Sequence, residues 1–220
     1  MIIINQNLLF IVPPRNKSGI LEAAIPKKGW GIRLDKSYDF VAIGDSITRG
    51  FPFTEEYSWV NIISEKFGLK IKNRGISGDL SSDMYDRFIP HVVMENPRAV
   101  IILGGYNDAF CGVAPEKVAL NFRKMYAEAR KHNIKTIMGL PTPVAFPNIE
   151  SLLAEYRNWI RNYAQKEEIG LIDFYSLFLD PSTKGPLPHL TVDGAHPGIE
   201  GYRVMARAVD LNLLCTKGEK

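Results

Sequence analysis

The sequence predicts an α/β fold: a three-layer α/β/α sandwich around a five-stranded parallel sheet. Two observations carry this. From residue 39 onward, short apolar runs alternate with longer segments of helical period, five times in all. Several of these runs are continuously apolar rather than alternating, as strands covered on both faces require. Right-handed crossovers then place helices on both sides of the sheet.

The elements follow in order. Phe40, Val41, Ala42 and Ile43, closed by Gly44, read as a strand over 39–44. A helix over 55–67 follows, with Thr54 as its expected cap ahead of Glu55 and Glu56. Strand 69–73, helix 81–94 and strand 98–104 come next. Helix 115–132 carries the stripe Val118, Phe122, Met125 and Ala129, which marks its inner face. After strand 134–140 comes helix 149–168, whose Tyr156, Trp159 and Tyr163 recur at helical spacing and read as packed interior. Strand 170–174 and a last helix over 198–214, with Tyr202, Met205, Val209 and Leu213 on one side, complete a domain over residues 39–220. Residues 1–38 hold two apolar stretches, MIII and LLFIV, broken by Pro13, Pro14 and Pro26. They read as an arm along the domain edge, with a subunit contact or a flap over the site as alternatives.

Composition narrows the function classes. The 220-residue chain is 45% hydrophobic and has a formal net charge of +3, with no block of like charges. It therefore lacks the basic footprint of a nucleic-acid partner, and a small-molecule substrate is expected. Cys111 and Cys215 have no CxxC spacing, so neither a disulfide framework nor a zinc site is expected, and no metal or cofactor is assigned. The opening residues lack a basic region, a cleavage pattern and the ~18 apolar residues of a spanning helix. The expectation is a cytoplasmic protein without membrane insertion, with the N-terminal extension as the route to any homo-oligomer.

Four polar clusters follow the predicted strands or precede the last helix: GDS with Asp45 and Ser46, GISGD with Ser77, Gly78 and Asp79, GGYND with Asn107 and Asp108, and DGAHP with Asp193 and His196. The carboxyl ends of strands are where open α/β sheets place ligands. Singly, each cluster is explained by a cap or a turn. Together they match the requirements of acyl transfer: a nucleophile, a base, a group to orient the base, and donors for an oxyanion.

The order GDSITRG, GISGD, GGYND, DGAHP is similar to the four blocks of the SGNH hydrolases, also called the GDSL esterase/lipase family, over residues 40–200. The resemblance implies a carboxylic ester hydrolase with Ser46 as nucleophile, His196 as base and Asp193 orienting the imidazole. It also implies an oxyanion hole formed by the Ser46 and Gly78 N–H groups and the Asn107 amide, with Gly78 letting the backbone approach the carbonyl oxygen. An imidazole, with an ordinary pKa of about 6.5, can take and return a proton near neutrality. His91 and His132 fall on predicted helices as surface or boundary residues, and His189 is assigned no role.

Specificity is expected in loops 109–113, 141–148 and 181–192. Tyr106, Phe110, Val144 and Phe146 are the candidate substrate-lining residues, with loop anchoring as the other reading of the apolar ones. Short loops argue for acetyl to butyryl esters of a small molecule or carbohydrate, with a lysophospholipase or thioesterase as the alternative. Two readings of other classes compete: a metallophosphoesterase, and a non-enzymatic ligand-binding module on a flavodoxin-like sheet.

Overall fold

The computed structural model describes residues 36–214. The chain divides into two units between Asp35 and Lys36, so the predicted arm lies outside the described residues except for its last three. Lys36 Nζ donates to Asn96 Oδ1 at 2.8 Å and the Ser37 N–H to the Asn96 carbonyl at 3.3 Å, joining those residues to the domain.

Among the described residues, five strands form one sheet: β1 (Tyr38–Gly44), β2 (Ile71–Gly75), β3 (Pro97–Leu103), β4 (Lys135–Leu140) and β5 (Gly170–Asp173). All neighbours are parallel, in the order β2-β1-β3-β4-β5. Each strand lies within two residues of its predicted span. Val41, Ala42 and Ile43 in β1 and Val100 to Leu103 in β3 are fully buried, as their unbroken apolar runs require. Register brings Gly44 beside Gly75 on one side and Leu103 on the other, so β1, β2 and β3 end at one level. The strand order reverses at β1, and the predicted site residues Ser46, Gly78 and Asn107 follow the three strands that meet at this switch point.

Among the described residues, eight α-helices surround the sheet: α1 (Ser46–Arg49), α2 (Trp59–Phe67), α3 (Ser81–Asp86), α4 (Tyr106–Phe110), α5 (Pro115–Lys131), α6 (Pro147–Lys166), α7 (Ile199–Arg207) and α8 (Leu211–Leu214). α2 packs with α7 in one outer layer, and α3, α5 and α6 pack together in the other. The predicted stripe of α5 is inside: Val118, Phe122, Met125 and Ala129 are all buried. Trp159 and Tyr163 of α6 stack with centroids 4.8 Å apart and meet Phe122 and Tyr126 of α5 edge to face. Phe122, fully buried among them, contributes roughly 1.5–3 kcal/mol.

Three predicted helices are interrupted, each for a local reason. The span 81–94 contains Pro90, which has no N–H for the helical ladder; α3 ends at Asp86 and a π-turn over Ile89–Val93 follows. In the span 198–214, the Asp210 carboxylate accepts from Asn212 N–H at 2.9 Å and starts a separate helix, so α7 stops at Arg207. The span 55–67 begins as a 3-10 turn over Glu55–Tyr57, and α2 starts only after Ser58. Ser58 Oγ accepts from Asn61 N–H at 3.1 Å, whereas Thr54 makes no side-chain cap bond. The capping role expected of Thr54 thus belongs to Ser58. Replacing Ser58 with Ala should destabilise the protein by about 1 kcal/mol or more, and Thr54→Ala should cost only a few tenths, as read by urea unfolding.

Candidate active site

Four segments carry the predicted site residues: those that follow β1, β2 and β3, and the loop that precedes α7. The first is the turn from β1 into α1. Asp45 is the N-cap, its Oδ1 accepting from Ile47 N–H at 3.0 Å. Ser46 is the first helical residue, so its hydroxyl is not used as the cap. The turn can be this tight because Gly44 has no side chain: a Cβ there would lie 2.1 Å from Thr48 Oγ1 and 2.4 Å from the Leu103 carbonyl oxygen. Ser46 is 7% exposed, and its Oγ stands 3.2 Å from His196 Nε2.

His196 comes from a loop between β5 and α7 that is closed on itself. The Asp193 Oδ1 accepts from the N–H groups of Ala195 and His196, at 3.0 and 2.7 Å. Its Oδ2 meets His196 Nδ1 at 2.7 Å. An ionised carboxylate can only accept, so Nδ1 carries the proton and the Nε2 lone pair faces Ser46. Val192 N–H donates to the His196 carbonyl at 2.9 Å, and Ala145 N–H to the Gly194 carbonyl at 2.7 Å, which ties the loop to the segment after β4. The Phe51 ring meets the His196 ring edge-on at a centroid distance of 4.8 Å, and Tyr202 Oη donates to the Phe51 carbonyl at 2.6 Å.

The remaining residues lie in the loop after β2 and in α4. Gly78 has φ of +89°, the left-handed region, and a Cβ there would meet no heavy atom within 4 Å. Within the chain the glycine is thus required by the backbone angle rather than by crowding. Asn107, in the first turn of α4, donates from Nδ2 to the Asp79 carbonyl at 2.9 Å. That bond fixes the amide and leaves its second N–H for another acceptor. Asp108, 1% exposed, accepts from Ser81 N–H at 2.9 Å and from Ser81 Oγ at 2.6 Å, joining the start of α3 to α4.

Burial and hydrogen bonding set the carboxylates apart. Asp45 is fully buried, and desolvation pushes its pKa up to about 7, with Asp108 and Asp79 adding repulsion. Its Oδ2 has no hydrogen-bond partner among the described residues. Desolvation likewise raises Asp108, with the two Ser81 bonds opposing it. At Asp193 desolvation is the largest single influence, but the His196 N–H, the His196 ring and the Ala195 N–H together outweigh it and hold the carboxyl below its ordinary value. Asp193 is therefore the ionised partner of His196 at neutral pH, and Asp45 is the carboxylate that resists ionisation.

These are the residues of the four sequence blocks, and residues 42–204 match the GDSL-like lipase/acylhydrolase family as a whole. The chain belongs to that family. Among its relatives is the esterase TesA of Pseudomonas aeruginosa, 26% identical over 72% of this chain and 79% of that protein. An uncharacterized lipoprotein of Bacillus subtilis, YqeF, is 32% identical, but the match spans only 55% of each chain. A solved lipolytic protein of the G-D-S-L family from Desulfitobacterium hafniense superposes with a TM-score of 0.72 at 30% identity, covering 77% of this chain and 95% of that one. Membership in a family of ester hydrolases replaces the reading as a non-enzymatic flavodoxin-like module. Among the described residues, no three or more His, Cys, Asp or Glu are grouped to hold a metal ion, and no helix is long and apolar enough to cross a membrane.

Of the four residues expected to line a substrate slot, two are in the core of this hydrolase. Tyr106 is 4% and Val144 2% exposed. Tyr106 Oη accepts from Thr142 N–H at 2.5 Å and lies 3.0 Å from Thr142 Oγ1. Val144 N–H donates to Glu150 Oε2, and Glu150 pairs with the buried Arg157, so the segment 141–144 is held inside. Phe110 and Phe146 do face solvent, with ring centroids 5.8 Å apart in an edge-to-face contact. His91 is half-buried, while His132 and His189 are exposed. Two site residues lacked a sequence signal. Phe51 reaches His196 across 145 positions, and Arg87, inside a predicted helix, reaches back to Asp79 and Gly44.

The Asp45 carboxyl makes a testable contribution to stability. Its folded pKa is raised above the unfolded value, so the folded state holds the proton more tightly, and its contribution is present at low pH and lost as pH rises toward 7. Compared with wild type, Asp45→Asn should therefore gain relative stability between about pH 4 and pH 7.5 in urea unfolding. A difference between the two proteins that is flat in pH would mean that Asp45 is ionised throughout.

Proposed function

We propose that this protein is a serine esterase that cleaves short-chain carboxylic esters, acetyl to butyryl, of a small molecule or carbohydrate through an acyl-enzyme on Ser46. The observation that carries this reading is the continuous chain of contacts from Ser46 Oγ through the His196 ring to the Asp193 carboxylate.

In this mechanism His196 Nε2 takes the Ser46 proton as Oγ attacks the ester carbonyl. The carbonyl oxygen becomes an oxyanion, received by the N–H groups of Ser46 and Gly78 and the free amide N–H of Asn107. Collapse breaks the ester C–O bond, and the alcohol leaves with the proton returned from His196. Water then repeats the sequence on the acyl-enzyme and releases the acid. Asp193 stays ionised throughout and stabilises the imidazolium. The short connections after β3 and β4, from Leu103 to Tyr106 and from Leu140 to Pro147, support a preference for short acyl groups, since they offer little wall for a long alkyl chain.

Ser46→Ala should leave the circular dichroism spectrum unchanged and reduce p-nitrophenyl acetate hydrolysis to below about a hundredth of wild type. Asn107→Ala should lower kcat roughly a hundredfold with a smaller change in KM; an effect on KM alone would make Asn107 a ground-state binding residue.

A second reading is a thioesterase or lysophospholipase. A relative in Escherichia coli K12, 23% identical over 74% of this chain, is named thioesterase 1/protease 1/lysophospholipase L1. Phe51, Ile76, Phe110 and Phe146 are exposed apolar residues on segments near the site. Acyl length separates the readings: wild type should show a higher kcat/KM for p-nitrophenyl acetate than for the decanoate, and the reverse order would favour the second reading.

A further inference from the structure

We infer that Arg87 is a positioning residue for the oxyanion hole, holding its three donors in mutual register. This rests on the esterase reading above and goes beyond it, since Arg87 lies outside all four sequence blocks.

The three donors come from three separate segments. Ser46 N–H opens α1, Gly78 N–H lies in the loop after β2, and the Asn107 amide projects from α4. Donors act on a developing oxyanion only when placed to a fraction of an ångström, and chain connectivity alone does not hold these three together. Arg87 contacts the segments in a way that does. Its Nη2 donates to the Gly44 carbonyl at 2.9 Å, two residues before Ser46. Its Nε donates to Asp79 Oδ2 at 2.5 Å, in the residue directly after Gly78. The carbonyl of that same Asp79 receives the Asn107 amide at 2.9 Å. One guanidinium thus reaches the segment of each donor directly or through Asp79.

The geometry suits arginine specifically. Its planar fork serves two acceptors at fixed separation, which a single ammonium cannot reproduce. The third arm, Nη1, faces His91 Nδ1 at 3.2 Å, so the π-turn after α3 supports the fork from behind. Desolvation first, then the charges of Arg87 and Arg74, holds the His91 pKa below its ordinary value, and Asp79 opposes this. The neutral ring can then accept from Nη1. The Arg87 and Asp79 side chains are each 12% exposed, so solvent screens the pair only weakly. The Gly44 carbonyl also accepts Ile76 N–H at 3.0 Å, so the loops carrying Ser46 and Gly78 are joined at the atom that Arg87 holds.

An ion pair that served only folding would change stability and leave turnover per folded molecule intact. The test uses the full chain with Arg87→Met, Arg87→Lys and Asp79→Asn, at a temperature where circular dichroism shows each variant folded. For Arg87→Met, kcat on p-nitrophenyl acetate should fall about thirtyfold or more while KM stays within about threefold, as expected for misplaced transition-state donors. Arg87→Lys and Asp79→Asn should each lose about fivefold or more in kcat, but less than Arg87→Met. Labelling by a fluorophosphonate, in which the Ser46 Oγ–P bond forms, fluoride leaves and the hydroxyl proton passes to His196, should slow in the same proportion by intact mass. The inference is overturned if Arg87→Met keeps kcat within about threefold of wild type, if its effect is confined to KM, or if its loss follows the folded fraction. Should Arg87→Met fail to fold, Asp79→Asn decides by the same criteria. A wild type that is labelled no faster than Arg87→Met sinks this inference alone, whereas a wild type that neither hydrolyses esters nor is labelled sinks the esterase reading with it.

Discussion

The catalytic end of the domain depends on how closely β1 approaches its surroundings at Gly44. With only a hydrogen in place of a side chain, the backbone turns within van der Waals reach of Thr48 and of the Leu103 carbonyl. Any larger residue would force apart the end of β1 and the first turn of α1, and Ser46 would move with them. The 3.2 Å separation from His196 is a distance between side chains on elements 150 residues apart, so it has no local means of recovery. Close packing of the central strands is therefore the condition for the chemistry, since a well-packed interior turns a small local expansion into a displacement of its neighbours.

Around that point the polar residues divide by range. The pairing of His196 with Asp193 is arranged within four residues and needs little from the rest of the protein. Ser46, Gly78 and Asn107 lie on different elements and are related only through long-range hydrogen bonds. Asp45 and Asp108 are buried, and that burial is unfavourable for the charged form. They are retained because they terminate backbone: Asp45 caps α1, and Asp108 binds the start of α3.

Most of the fold was legible because unbroken apolar runs and helical stripes report burial directly. All five strands were, as were the inner faces of α5 and α7. Helix ends were less so. Pro90 and Asp210 acted as breaks inside otherwise periodic segments, and Ser58 rather than Thr54 supplied the cap, since a cap depends on where the chain enters the helix and not only on composition. The site was legible to the extent that its residues recur in short motifs at strand ends. Tyr106 lies within one of those motifs and Val144 in the loop after β4, and both are apolar enough to suggest a binding wall, yet they face inward because the segment after β4 is tied to Tyr106 through Thr142 and held by the Glu150–Arg157 pair. Phe51 and Arg87 act across long sequence separations, and a single sequence carries no periodic or motif signal for such contacts.

The self-closed loop that carries His196 has a consequence for how the protein would lose its organisation. Its bonds from Asp193 to the backbone of Ala195 and His196, and from Val192 to the His196 carbonyl, span at most four residues and survive small movements of the sheet. The contact with Ser46 instead crosses the domain and depends on packing between distant elements, with Phe51 as the bridge: its N–H donates to the Ser46 carbonyl at 3.0 Å and its ring meets His196. A rearrangement that parted those elements would leave an imidazole still paired with its carboxylate and a serine still seated on its helix, no longer facing each other.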